Sequence, residues 1–349
     1  MDTAKKQLVG VIGAGSFGTA IADLLSDNAD VLMFARQKEV VTKINEQHTN
    51  LEVSLKENVQ ATNKIAEIAQ KCTVIFAVVP SSSFREMMKT LSPHLRPYHI
   101  IIHGTKGFDL TGHEFNTLDK SNSISRSDIH TMSEVILQES SVVRIGCLSG
   151  PNLSREILQG KPTATVVASR FREVIKISEQ LLNSRRFHVF GSYDLLGAEL
   201  SGALKNAIAI GSGILGGLDL GKNIQALLVT RGLAEMIYFG KAMGSESKAF
   251  LGVAGIGDLV ATATSENSRN YSFGKRIAKG ESTESILATM PELAEGVRSI
   301  KIMKHLAEHY KIRTPITQIL YAVLFEGFNM ERGIDFLMKY PYGVDVDFL

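Results

Sequence analysis

A buried strand that runs into a glycine-rich turn and then an amphipathic helix is the feature that most restricts how this chain can fold. Leu8-Val9-Gly10-Val11-Ile12 is a short apolar run of the kind found in strands covered on both faces. Gly13-Ala14-Gly15-Ser16-Phe17-Gly18 follows at once, after which Phe17, Ile21, Leu24 and Leu25 recur at helical spacing. A second apolar run, Val31 to Ala35, closes the unit. A GxGxxG hexapeptide alone carries little weight. Between such a strand and such a helix it predicts a dinucleotide site. Gly13 permits the tight turn, Gly15 lets the backbone approach a pyrophosphate, and Gly18 lets helix and strand pack closely, with the helix N-terminus facing the phosphates.

Further strands alternate with helical stripes. Thr73–Val79 is stopped by Pro80, Ile100–Ile102 leads into His103-Gly104-Thr105-Lys106-Gly107, and Val142–Leu148 and Ala164–Ala168 complete the set. That alternation predicts an α/β fold with an N-terminal Rossmann-type, doubly wound parallel sheet. After about Ser192 strands cease and Ala/Leu/Ile/Gly helical patterns continue to the end, so the expected division is a dinucleotide domain over 1–191 and an all-helical substrate domain over 192–349. The polar, Ser-rich stretch from Leu110 to Arg126 reads as a surface excursion.

Lys plus Arg number 38 and Asp plus Glu 36, which gives no global charge for nucleic acid or an acidic membrane to grip. The two cysteines, Cys72 and Cys147, lie in or beside apolar runs and read as buried thiols of a reducing, cytoplasmic compartment. Met1 to Gln7 is too short and polar for a signal peptide, and the uncharged run Ala207–Leu218 is well short of the roughly 20 apolar residues that span a bilayer. A soluble protein with no membrane span is expected. The small-residue helices of the second half fit either an internal core or a homodimer interface.

Several polar side chains stand out against this frame. Arg36 ends the second strand, where an NAD-only site carries an acid; a guanidinium there favours the 2′-phosphate of NADP, or else stacks on adenine or faces solvent. Lys106 follows a strand end, either reaching a substrate oxygen or lying solvated in its loop. Lys205 sits in Gly202-Ala203-Leu204-Lys205-Asn206-Ala207-Ile208, a helix apolar all round, where burial lowers a lysine's pKa towards the range of acid–base catalysis; snorkelling at the helix edge is the alternative. Asp258 follows a glycine turn, as a functional carboxylate or simply as a helix N-cap. Ser268-Arg269-Asn270 offers a hydroxyl, a guanidinium and an amide suited to a phosphate, and Glu295 precedes a glycine at a loop-to-helix junction. His305-Leu306-Ala307-Glu308-His309 imitates a zinc-peptidase motif, but no third ligand is evident and a solvated helix face is the expectation, with no metal.

These segments together resemble the NAD(P)-dependent sn-glycerol-3-phosphate dehydrogenase family. The matching pieces are GAGSFGTA at 13–20, TKG at 105–107, SGP at 149–151, LKNAIAI at 204–210, GIGDLVATATSENSRNYSFG at 255–274 and AEGVRS at 294–299. The resemblance implies reversible hydride transfer between NADPH or NADH and dihydroxyacetone phosphate, giving sn-glycerol 3-phosphate for phospholipid synthesis. It implies that Lys205 exchanges a proton with the C2 oxygen and that Lys106 touches both substrate and cofactor. Gly150, Asn152, Asp258, Ser268, Arg269 and Asn270 would hold the substrate. Ser16, Phe17, Arg36, Ser154, Arg269, Leu293 and Glu295 would join Gly13, Gly15 and Gly18 at the dinucleotide. After SGP the family has Ser, an aromatic residue and Ala, whereas this chain has Asn152, Leu153 and Ser154. Two other readings fit the same fold: a 2-/3-hydroxyacid or ketopantoate-type dehydrogenase, and a non-catalytic NAD(P)H-binding sensor. Ser268-Arg269-Asn270 favours a phosphorylated substrate over the first, and Lys205 with Asp258 argues against the second.

Overall fold

The computed structural model describes residues 6–113, 115, 118, 124–290 and 294–339. Chain contacts divide it into two compact units, Met1–Thr105 with Met132–Leu195, and Lys106–Thr131 with Leu196–Leu349.

The first unit is built on eight strands: β1 (Leu8–Ile12), β2 (Asp30–Phe34), β3 (Val59–Thr62), β4 (Val74–Ala77), β5 (Ile100–His103), β6 (Arg144–Ser149), β7 (Thr163–Ala168) and β8 (Phe187–Ser192). Their order across the sheet is β8-β7-β6-β5-β4-β1-β2-β3. The six strands from β6 to β3 run parallel, so the order reverses beside β1, where ligands of doubly wound sheets bind. β7, expected as a strand, turns antiparallel to β6 and carries β8 parallel to itself; neither that direction nor β8 is part of the sequence expectation. Alternation within strands separates two cores: Val74 and Phe76 face one side with Ile100 and Ile102, while Ile75 and Ala77 face the other with Ile101 and Ile145. Burial on both faces is why these strands read as unbroken apolar runs. Cys72 and Cys147 are free and buried, and burial pushes the Cys72 thiol up to about 12.

In the second unit the helices used below are α2 (Leu195–Gly217), α3 (Lys222–Ala242), α4 (Asp258–Ala263), α5 (Arg269–Ala278), α6 (Thr283–Thr289), α7 (Glu295–Tyr310), α8 (Pro315–Phe325) and α9 (Met330–Lys339); α1 (Ser16–Leu25) belongs to the first unit. α2 is buried from Gly197 to Leu215, so its small residues form the internal core of the unit. Gly213 and Gly274 make its contact with α5 backbone to backbone: a Cβ at Gly213 would lie 2.1 Å from the Tyr271 carbonyl oxygen, and one at Gly274 2.1 Å from that of Ile210. The expected surface excursion differs from what is found. Phe108, Leu118, Ile124 and Ile129 are buried in the core of the helical unit, so part of the 110–126 stretch is structural. Its apolar residues are too widely spaced among serines to show a period. Among the described residues no helix is long and apolar enough to cross a membrane.

Candidate functional site

The turn after β1 has the form that its glycines predict. Gly13 adopts φ +120, open only to glycine at low strain, and a Cβ at Gly18 would sit 1.8 Å from the Gly13 carbonyl oxygen. A Cβ at Gly15 would meet no atom within 4 Å, so a ligand can approach this backbone closely. Ser16 and Phe17 open α1, whose first-turn N–H groups and dipole favour an anion. Asn50, which the sequence did not single out, braces the turn by donating to the Ala14 carbonyl at 3.0 Å and to the Thr19 hydroxyl at 2.8 Å. Arg36 is exposed immediately beyond β2. The turn therefore fits a dinucleotide pyrophosphate.

On the same unit Gly150 follows β6 with φ +135, and Asn152 donates to Thr165 Oγ1 at 2.9 Å. The buried Oδ1 of Asn152 has no hydrogen-bond partner among the described residues, which leaves it an acceptor for a hydroxyl. Ser154 is the first residue of the short helix Ser154–Leu158.

The helical unit assembles the charged residues. Lys205, on the core helix α2, is 4% exposed, and Asp258, at the start of α4, is 1% exposed. Lys205 Nζ donates to Asp258 Oδ1 at 2.6 Å and to the Thr262 hydroxyl, and Lys106 Nζ donates to Asp258 Oδ2 at 2.7 Å. Thr262 donates in turn to Asp258 Oδ1 at 3.3 Å. Asp258 is thus not an N-cap: Gly257 holds that place, and the Asp258 side chain is committed to two ammonium groups. It is aimed by a wide turn, Val253–Gly257, in which the Gly257 N–H bonds the carbonyl five residues back. Snorkelling is likewise excluded for Lys205. Burial lowers its pKa to about 8; Asp258 opposes the fall, and the charges of Lys106 and Arg269 add to it. Two of its three N–H bonds are taken by Asp258 and Thr262, leaving the third for a further acceptor.

Ser268 is the N-cap of α5, its hydroxyl accepting from Tyr271 N–H at 3.3 Å, so it sets the helix start from which Arg269 and Asn270 project. Asn270 donates to Asn206 Oδ1 at 2.9 Å and accepts from Gly296 N–H at 2.9 Å, while Asn206 donates to the Lys106 carbonyl at 3.1 Å. Glu295 opens α7 beside Gly296, and Leu293 lies outside the described residues. Sequence reasoning missed Thr262, Asn206 and Asn50. Thr262 stands one helical turn from Asp258 and Asn206 beside Lys205, which are usable signals; Asn50 offers none. His305 is buried rather than solvated, 3.7 Å from Glu308, so α7 presents less polar surface than its lysines suggest. Among the described residues no three His, Cys, Asp or Glu side chains are grouped to hold a metal.

The family model for the N-terminus of NAD-dependent glycerol-3-phosphate dehydrogenase matches residues 8–175, and that for its C-terminus matches residues 194–335. A glycerol-3-phosphate dehydrogenase [NAD(P)+] of Saccharophagus degradans is 38% identical, with 99% of this chain and 94% of that protein aligned. One from an Exiguobacterium species is 38% identical over 95% of each. The crystal structure of a glycerol-3-phosphate dehydrogenase from Coxiella burnetii superposes with a TM-score of 0.86 at 29% identity, covering 96% of this chain and 99% of that one. Two matched halves, near-complete alignment and a shared architecture establish that this chain is an oxidoreductase belonging to the NAD-dependent glycerol-3-phosphate dehydrogenase family.

Proposed function

We propose that the protein reduces dihydroxyacetone phosphate reversibly to sn-glycerol 3-phosphate with NADPH or NADH, supplying glycerophospholipid synthesis in the cytoplasm. The observation that carries this reading is the charge balance of the helical unit. Lys106 and Lys205 converge on the carboxylate of Asp258, and the charge of Arg269 acts on Lys205, a gathering of cations suited to a dianionic phosphate. Residues 1–191 would hold the dinucleotide through Gly13, Gly15, Ser16, Phe17, Gly18, Arg36 and Ser154, with Arg269, Leu293 and Glu295 contributed from 192–349. The nicotinamide group supplies or accepts the hydride.

The protein supplies the proton and the field. A ketone that becomes an alkoxide needs an acid within hydrogen-bond reach, and Lys205, held by Asp258 and Thr262, keeps one N–H for it. A pKa of about 8 lets this lysine donate near neutrality and accept in the reverse direction. Lys106 polarises the same oxygen, Arg269 with Ser268 and Asn270 meets the phosphate, and Gly150 and Asn152 offer hydrogen bonds to the glycerol hydroxyls. Assembly as a homodimer would use surfaces other than α2, which is consumed in its own unit; exposed Leu220, Leu251 and Val260 supply apolar area, and sedimentation tests it.

The deciding assay is oxidation of NADPH and NADH by purified protein with dihydroxyacetone phosphate, unphosphorylated dihydroxyacetone and ketopantoate. Turnover confined to the phosphorylated ketone is expected. Faster turnover with ketopantoate would reassign the substrate, and tight NADPH binding without turnover on any ketone would leave a sensor.

A further inference from the structure

Of the two lysines that meet Asp258, Lys205 is carried by a buried helix and Lys106 by a turn. A lysine on a turn is placed only as well as its backbone is anchored. The Lys106 carbonyl is held by Asn206, but the chain beyond it must be fixed as well. Two residues on, the Phe108 carbonyl accepts from Arg298 Nε at 3.3 Å. The Arg298 guanidinium also lies 5.6 Å from the ring centroid of Phe115. One turn further along α7, the Lys301 ammonium stands 4.9 Å from the centroids of both Phe115 and Phe325. Two cations of one helix thus grip the segment that leaves Lys106.

Withdrawing a guanidinium from water is unfavourable unless it acts on something. Burial lowers the Arg298 pKa, and the carboxylates of Glu295 and Asp109 oppose that fall, which places the side chain in the field of both. One of these carboxylates belongs to the Lys106 segment and the other opens α7 beside Gly296, whose N–H is tied to Asn270. Arg298 therefore ties the chain that follows Lys106 to the start of α7.

We propose that Arg298 is a positioning residue for the reaction: by holding the Phe108 carbonyl and Asp109 against the first turns of α7, it fixes the turn that presents Lys106 to substrate. This rests on the substrate role given to Lys106 above. Displacing a positioned group by about 1 Å is enough to lower a rate by about 100-fold.

The test is a double-mutant cycle on the full chain, with Arg298→Met and Arg298→Gln each made in the native and Lys106→Met backgrounds. In the native background Arg298→Met is expected to lower kcat/KM for dihydroxyacetone phosphate by about 10- to 100-fold. In the Lys106→Met background the same change is expected to lower it less than about threefold, because the group it positions is gone. Arg298→Gln keeps a donor for the Phe108 carbonyl and should recover part of the loss; it also carries the cycle if the methionine variant does not fold. Equal losses in both backgrounds, or a glutamine variant as impaired as methionine, overturn the proposal. Amide hydrogen exchange over residues 104–111 reads the same claim without turnover. It should quicken in the Arg298 variants while the α2 amides stay protected, and unchanged exchange overturns the proposal. A native protein inactive on dihydroxyacetone phosphate would sink the function reading, and exchange would still decide the role of Arg298.

Discussion

Asp258→Asn isolates what the carboxylate between the two lysines contributes. The substitution keeps the side chain's shape and removes a negative charge that lies 2.6 Å from Lys205 Nζ and 2.7 Å from Lys106 Nζ. Asp258 is the group that holds the Lys205 pKa up against burial and two neighbouring cations. A charge pair about 4 Å between centres at an effective dielectric of about 20 is worth about 4 kcal/mol, enough to carry the lysine from about 8 to about 5. At pH 7.5 only about one molecule in 300 would then hold the proton that ketone reduction needs. The expected result is a loss of about 10²–10³ in kcat/KM at that pH, with the alkaline limb of the profile moved from near 8 to near 5. The fold should survive. Lys205 has a folded pKa below its unfolded 10.5, so the unfolded state binds more protons between about 8 and 10.5; this destabilisation is fully present below 8 and is relieved as pH rises. Once the variant's lysine sheds its proton, the further loss from this group at pH 7 is limited to about 1 kcal/mol. The assay is kcat/KM for dihydroxyacetone phosphate from pH 5 to 9.5 at saturating NADPH. A loss of activity that is uniform across pH, with the limb still near 8, would refute the electrostatic reasoning and leave Asp258 a binding or structural role.

Lys205→Met removes the proposed proton donor and with it a charged group that burial disfavours, while Asp258 keeps Lys106 as a partner. Turnover should fall by about 10²–10⁴ with NADPH affinity and melting temperature undiminished, and near-normal turnover would remove Lys205 from proton transfer. Arg36→Asp should shift the preference from NADPH towards NADH; an unchanged kcat/KM ratio would show that Arg36 does not read the 2′-phosphate. Glu235 is a fully buried carboxyl that accepts from Ile316 N–H at 2.5 Å, Thr317 N–H at 3.1 Å and the Thr317 hydroxyl at 2.8 Å, yet burial raises its pKa to about 7. Its folded pKa exceeds the unfolded 4.5, so its stabilising share is complete below 4.5 and is lost as pH rises through 7, a change of about 3 kcal/mol. Denaturant unfolding at pH 5 and 7.5 should show that slope in the native protein and a flatter one in Glu235→Gln; equal slopes would refute it.

The parts of this molecule legible in its sequence are those where one residue type answers one physical demand. Buried parallel strands need continuous apolar runs, and β1, β2, β4 and β5 show them. β3 escaped notice because Val59-Gln60-Ala61-Thr62 is a short edge strand with polar positions, and β8 because its exposed edge tolerates His188. The antiparallel turn of β7 depends on strand pairing, which residue identity does not encode. Lys205 could be found because a lysine inside a helix apolar on every face has nowhere to reach water. Thr262 and Asn206 are marked only by their spacing from Asp258 and Lys205, and Asn50 not at all, because buried hydroxyls and amides more often satisfy backbone groups than serve a site.

The hydrogen-bonded chain from the Lys106 carbonyl through Asn206 and Asn270 to Gly296 shows how the site reconciles two conflicting requirements. Cations strong enough to hold a phosphate repel one another when they are brought together out of water, and Lys106 and Lys205 share the carboxylate of Asp258. Neutral links resist that repulsion without cancelling the attraction for substrate. Amide–amide and amide–backbone bonds supply such links without charge, and the glycine contacts of Gly213 and Gly274 let α2 and α5 approach closely enough to form them. A substrate phosphate then relieves the repulsion that the protein leaves in place. Discrimination against unphosphorylated dihydroxyacetone is accordingly expected to weaken with rising salt, and to be greatest at low ionic strength.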